Sequence, residues 1–108
     1  MTPSEAYYKA HNSCKRLPKL ENIIMTSPWF SYLYAERVIQ DRWIEAEDVI
    51  MNSAYCSLRY AHAIQSRLPD KMHNMMILHA IKNPNVCYIK EYFEYISKRH
   101  HKKHIGKQ

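Results

Sequence analysis

The strongest constraint on this chain is that it repeats itself. Ile24, Met25, Ser27, Tyr34 and Ala35 return 26 positions later as Ile50, Met51, Ser53, Tyr60 and Ala61, and Arg16 and Glu21 return at the same offset as Arg42 and Glu47. One residue is then dropped, so that Ile39, Gln40 and Arg42 return 25 positions later as Ile64, Gln65 and Arg67. The run Arg16-Leu17-Pro18 reappears as Arg67-Leu68-Pro69, and Ala10-His11 as Ala61-His62. A period of this size marks supersecondary units that cannot each bury an apolar face alone and must pack on their neighbours.

The unit has to be helical. The single glycine, Gly106, stands close to the C-terminus. Tight two-residue hairpins lean on glycine, and so do both common phosphate-cradling loops, so neither is expected. Apolar residues at 46% and aromatics at 12% suit a folded domain, and 108 residues suit one domain with a modest core. No run of about 18 apolar residues is present, so no membrane span is expected. The N-terminus lacks the apolar centre of a secretory signal, which makes the cytoplasm the expected compartment, the host cytoplasm for a phage-encoded chain. Cys14, Cys56 and Cys87 lie far apart without a C-x-x-C pair and read as reduced thiols serving as small core hydrophobes.

Proline and cap residues mark the helices. Thr2-Pro3-Ser4-Glu5 is a capping-box start for a helix to about Lys15, and Pro18 opens a short helix through Met25. Ser27-Pro28 starts a helix to about Gln40, with a wide apolar arc that includes Trp29, Tyr32, Leu33 and Tyr34. Residues 43–51 read as a short helix with Glu45, Glu47 and Asp48 facing water. Ser53 caps a helix over 54–66, Pro69 opens one to about Lys82, and Asn83-Pro84 repeats the cap-plus-proline signal for a helix over 85–99. Pro28 and Pro84, with Tyr32 and Tyr88, place this last helix in register as a fourth, degraded copy. The expected fold is all-α: a short array of stacked antiparallel helix pairs, about three and a half units, as one domain over 1–97 with a basic flexible tail over 98–108.

Residues 34–51, Tyr-Ala-Glu-Arg-Val-Ile-Gln-Asp-Arg-Trp-Ile-Glu-Ala-Glu-Asp-Val-Ile-Met, resemble a short helical repeat seen in proteins of large tailed bacteriophages, of the pattern Tyr-Ala-x-x-Val-Ile-x-x-Arg-Trp-x-Glu-Ala-Glu-x-x-Ile. The resemblance is close over 27–51, partial over 53–70, where Leu68-Pro69-Asp70 replaces Trp43-Ile44-Glu45, and weak before 16 and after 84. It implies a phage origin and an all-helical array. It transfers no functional residue.

Charge is unevenly placed. All ten acidic residues precede residue 97, while Lys98, Arg99, Lys102, Lys103 and Lys107 follow it. The body is nearly neutral and the end is basic, a pattern unlike a uniformly basic nucleic-acid binder. The recurring Arg16, Arg42 and Arg67 read either as one phosphate contact per unit or as the closure of each inter-helix turn, on helix carbonyls or on the next acidic residue. Nine tyrosines read as inter-helix packing with hydroxyls reaching water, or in part as an exposed recognition surface. Tyr55, Arg59 and His62 on the 54–66 helix join the three arginines as candidate partner contacts. The basic end is a candidate for RNA, DNA or an acidic protein surface. His100, His101 and His104 could capture a metal ion adventitiously, but the expectation is no metal site and no cofactor, since no H-E-x-x-H and no cysteine at ligand spacing is present. No nucleophile–base arrangement is visible, so no catalysis is expected. The function expected is non-catalytic binding of a host or phage protein, as inhibitor or adaptor, with a small nucleic-acid binder as runner-up and a structural phage component third.

Overall fold

The structure is a computed structural model that describes residues 1–106, with side chains described through Arg99. It is all-helical, with no strand among the described residues: α1 (Pro3–Ser13), α2 (Pro18–Ile24), α3 (Pro28–Tyr34), α4 (Glu47–Ile50), α5 (Ala54–Ile64), α6 (Asp70–Lys82) and α7 (Cys87–Gly106). A single 3₁₀ turn, Ile44–Ala46, leads into α4. The helices α1, α3, α5 and α7 lie side by side in chain order, with α2, α4 and α6 packed between successive neighbours. The molecule spans 45 × 36 × 20 Å, and the thin dimension is that of two helix layers.

The caps behave as the sequence reads. The Thr2 hydroxyl accepts from the Glu5 N–H while the Glu5 carboxylate accepts from the Thr2 N–H. Ser27 and Ser53 accept from the N–H groups of Phe30 and Cys56 at 3.2 Å each. Without a glycine to spare, the long helices end on Cys14, Gln40 and Gln65, all in the left-handed region (φ 57°, 60° and 54°). That conformation costs roughly 1–2 kcal/mol for a residue with a Cβ, so the surrounding packing must hold it.

The dropped residue has a structural cause. Residues Ala35–Ile39 form a π-turn, closed by the Gln40 N–H on the Ala35 carbonyl at 2.7 Å, which absorbs one extra residue. Before the π-turn α1 and α3 match at an offset of 25: Ala6, Tyr7 and Ala10 are buried, as are Ser31, Tyr32 and Ala35. The same set reappears on α5 as Ser57, Leu58 and Ala61. Both serines lodge against the preceding short helix, Ser31 donating to the Ile24 carbonyl and Ser57 to the Ile50 carbonyl.

Five expectations change. Cys14 and Cys87 are exposed, leaving Cys56 as the buried thiol, and burial pushes its pKa up. Glu47 does not face water with Glu45 and Asp48; it is buried. Trp29, expected on the apolar arc of α3, is exposed because the arc turns its first residue out of the interface. Asn83-Pro84 makes a turn, closed by the Val86 N–H on the Asn83 carbonyl, so α7 begins at Cys87. Finally, α7 does not stop near 99 but continues to Gly106.

Candidate functional site

The repeated arginines close their own turns. The Arg16 guanidinium grips Glu21 with two N–H donors at 2.9 and 3.0 Å, and Arg42 grips Glu47 at the same two distances. Arg67, lacking a glutamate five residues on, takes Asp70 at 2.9 Å. Each arginine is thus engaged in its unit's own ion pair, with part of its guanidinium in solvent.

A tyrosine from the following long helix completes every turn. The Tyr34 hydroxyl accepts from the Leu17 N–H at 3.0 Å and donates to Glu21 at 2.7 Å. Tyr60 repeats this on the Trp43 N–H (2.9 Å) and Glu47 (2.6 Å). Tyr92 accepts from the Leu68 N–H at 3.2 Å, but its second partner is His73 Nδ1 at 2.6 Å. These hydroxyls point inward rather than to water, each meeting a turn N–H that would otherwise be buried and unpaired. Burial, reinforced by Glu21, pushes Tyr34 up to about 12, and burial reinforced by Glu47 pushes Tyr60 up as well. Glu21 is held below the usual carboxylate range by Arg16. Tyr92 is therefore the counterpart of Tyr34 and Tyr60, whereas the Tyr32–Tyr88 register puts Lys90 there, so the fourth copy shifts by two residues. On α1 the corresponding position is Lys9, which is exposed.

Away from these turns, a ribbon of aromatic side chains runs across α3, α5 and α7. Trp29 stacks on Tyr55 (centroids 6.3 Å, interplanar angle 16°), and Tyr55 meets the edge of Tyr88 at 6.0 Å. Tyr55, Arg59 and His62 are all exposed and lie at helical spacing on α5. Arg59 sits over the Tyr32 ring at 5.8 Å, while the Tyr32 hydroxyl donates to Glu36. His62 lies against Tyr95 at 4.1 Å, and Arg99 covers the same ring at 5.6 Å. Glu91, exposed, stands three residues after Tyr88 and four before Tyr95, so it joins this side of α7. The ribbon is aromatic along its length and carries both signs of charge.

The three α5 candidates are thus brought together with Arg99, while Arg16, Arg42 and Arg67 are placed elsewhere, in the turns. Lys98 is exposed, and the side chains of Lys102, Lys103, Lys107, His100, His101 and His104 lie outside the described residues. Sequence reasoning passed over Trp29, Tyr88 and Tyr95. The repeat itself carried the signal for Trp29, which is the counterpart of Tyr55 at the offset of 26. A second apolar feature, Ile77, Leu78 and Ile81, is exposed on α6, the helix six residues longer than α2. Among the described residues no group of His, Cys, Asp or Glu is gathered at metal-binding distance, and no helix is long and apolar enough to cross a membrane. Set against known protein families, curated proteins and solved structures, the chain matches none of them.

Proposed function

We propose that this chain is a short helical-repeat array of about three and a half stacked antiparallel helix pairs, and that it acts by non-catalytic binding of a protein partner through the ribbon of Trp29, Tyr55, Arg59, His62, Tyr88 and Arg99. The observation that carries the reading is the ribbon's composition. Exposed aromatics flanked by arginine are the residue types that dominate protein recognition. Glu36 stands near Arg59 and Glu91 lies between Tyr88 and Tyr95 along the same side of α7, and carboxylates along the ribbon would repel a phosphate backbone. The recurring hydrogen bonds of the three turns support the array. The resemblance of residues 27–51 supports a phage origin, and with it a host or phage protein as target, bound in the host cytoplasm by an inhibitor or adaptor.

A nucleic-acid binder remains the second reading, favoured by one observation: Lys98 and Arg99 begin a basic stretch that continues α7 to Gly106. The test is capture from bacterial lysate with the full chain and with a Tyr55→Ser/Arg59→Ser variant, each with and without nuclease. The protein reading expects a defined partner that survives nuclease and is lost from the variant. Partners that vanish with nuclease, or that bind the variant equally, would overturn it.

A further inference from the structure

The three tyrosine contacts are alike in geometry and unlike in chemistry. In the first two the hydroxyl proton is received by a carboxylate already paired with arginine. In the third the hydroxyl meets an imidazole nitrogen at 2.6 Å, because Met72 occupies the position five residues after Arg67 and His73 the next. We propose that the His73–Tyr92 contact is an acid-sensitive fastening of α7, which holds at neutral pH and lets α7 loosen when His73 takes up a proton.

The proton count supports this. In the neutral tautomer with its proton on Nε2, His73 Nδ1 accepts from the Tyr92 hydroxyl, and the Tyr92 oxygen accepts from the Leu68 N–H. The Tyr92 hydroxyl, the Leu68 N–H and Nδ1 are then all paired. A proton on Nδ1 turns that acceptor into a donor. The Tyr92 oxygen then faces two N–H donors, and its own proton has no acceptor. The surroundings add to the cost. Arg67 acts on the ring with like charge, while Asp70, the opposing carboxylate, already takes the Arg67 guanidinium. From α7 the ring meets Tyr92, with centroids 5.6 Å apart, and the edge of Phe93 at 5.8 Å. Partial burial first, and Arg67 second, hold His73 below its ordinary value. A depressed histidine contributes stability above its unfolded value of 6.5 and loses it as pH falls through the folded value. The window therefore opens just below neutrality, where histidine is the side chain that ordinarily switches. Since α7 supplies Tyr88, Tyr95 and Arg99, loosening it would take the ribbon apart at one edge.

The experiment is hydrogen exchange by NMR on the full chain between pH 7.5 and 5.0, with protection factors corrected for intrinsic rates. Protection of α7 should fall roughly tenfold for each unit by which His73 is depressed, while α3 and α5 hold. His73→Gln, which keeps an acceptor that does not titrate, should make α7 indifferent to pH. His62→Gln, on the neighbouring imidazole against Tyr95, should leave the acid response in place. Tyr92→Phe gives a second route: its α7 should exchange at pH 7.5 as the natural chain does in acid. An α7 whose protection is flat with pH, or one that loosens equally in His73→Gln, would overturn the proposal. So would a loss shared by α3 and α5, or one abolished by His62→Gln.

Discussion

The turn that joins α3 to α4 and the turn that joins α5 to α6 solve the same problem with different residues. In the first, Arg42, Glu47 and Tyr60 form a closed charge-assisted set around the Trp43 N–H. In the second, Arg67 pairs sideways with Asp70, and a neutral His73 stands in for the glutamate at Tyr92. What is repeated is the role, a buried turn N–H met by a hydroxyl from the next long helix. The identity of the third group is free to change, and with it the turn's response to pH.

The largest effect expected from breaking this pattern lies at Trp43, 1% exposed and packed on Tyr34 with ring centroids 4.7 Å apart. Trp43→Ala should cost about 3–5 kcal/mol by denaturant unfolding. Leu17→Ala, at the half-buried counterpart, should cost less. Equal losses would mean that the two turns are packed alike.

Next come the hydroxyls. Tyr60→Phe leaves the Trp43 N–H unpaired and takes one donor from the buried Glu47, which keeps Arg42, and should cost about 1–3 kcal/mol. Tyr92→Phe also frees a turn N–H, that of Leu68, but deprives a neutral imidazole rather than a carboxylate, and should cost less, about 0.5–1.5 kcal/mol at pH 7.5. Thermal unfolding at matched pH ranks the two; a larger loss for Tyr92→Phe would invert the comparison.

Acid should separate the regions again. Glu21 is depressed below 4.5 by Arg16, so its contribution is complete above that value and is lost as pH falls through its folded value. The His73 contribution is lost earlier, below 6.5. A stability–pH curve should therefore fall in two stages, and His73→Gln should remove only the upper one.

The smallest effect on the body is expected from deleting residues 98–108. Helicity should drop only by the end of α7, and binding of a protein partner through Trp29, Tyr55 and Arg59 should persist, weakened by the loss of Arg99 from the edge of the ribbon. Any nucleic-acid binding should nearly vanish and its salt slope flatten, since each phosphate contact contributes about 0.9 to that slope on duplex DNA. Nucleic-acid binding retained at physiological salt would place a phosphate groove in the helical body.

Much of this architecture was legible in the sequence because the repeat is written in punctuation. Pro18, Pro28 and Pro69 and the caps Thr2, Ser27 and Ser53 fix where helices start, and the Arg–Glu spacing of five could be read as turn closure. The π-turn at Ala35–Ile39 was visible only as a dropped residue, since backbone geometry leaves no composition signal. The tyrosine contacts were hidden because they join residues 17 and 24 positions apart, beyond any local pattern. The ribbon was half legible: α5 gave Tyr55, Arg59 and His62, but Trp29 read as core until packing showed which way α3 faces.

The claim that the inward hydroxyl and its acceptor are the repeating element of this fold is tested most directly by paired double-mutant cycles. One couples Tyr34→Phe with Glu21→Gln and the other Tyr92→Phe with His73→Gln, each at pH 7.5 and 5.5. Coupling energies of about 0.5–3 kcal/mol are expected for both pairs at pH 7.5. At pH 5.5 the Tyr34–Glu21 coupling should persist and the Tyr92–His73 coupling should shrink toward zero. No coupling in the first pair, or the same coupling in the second at both pH values, would contradict the account.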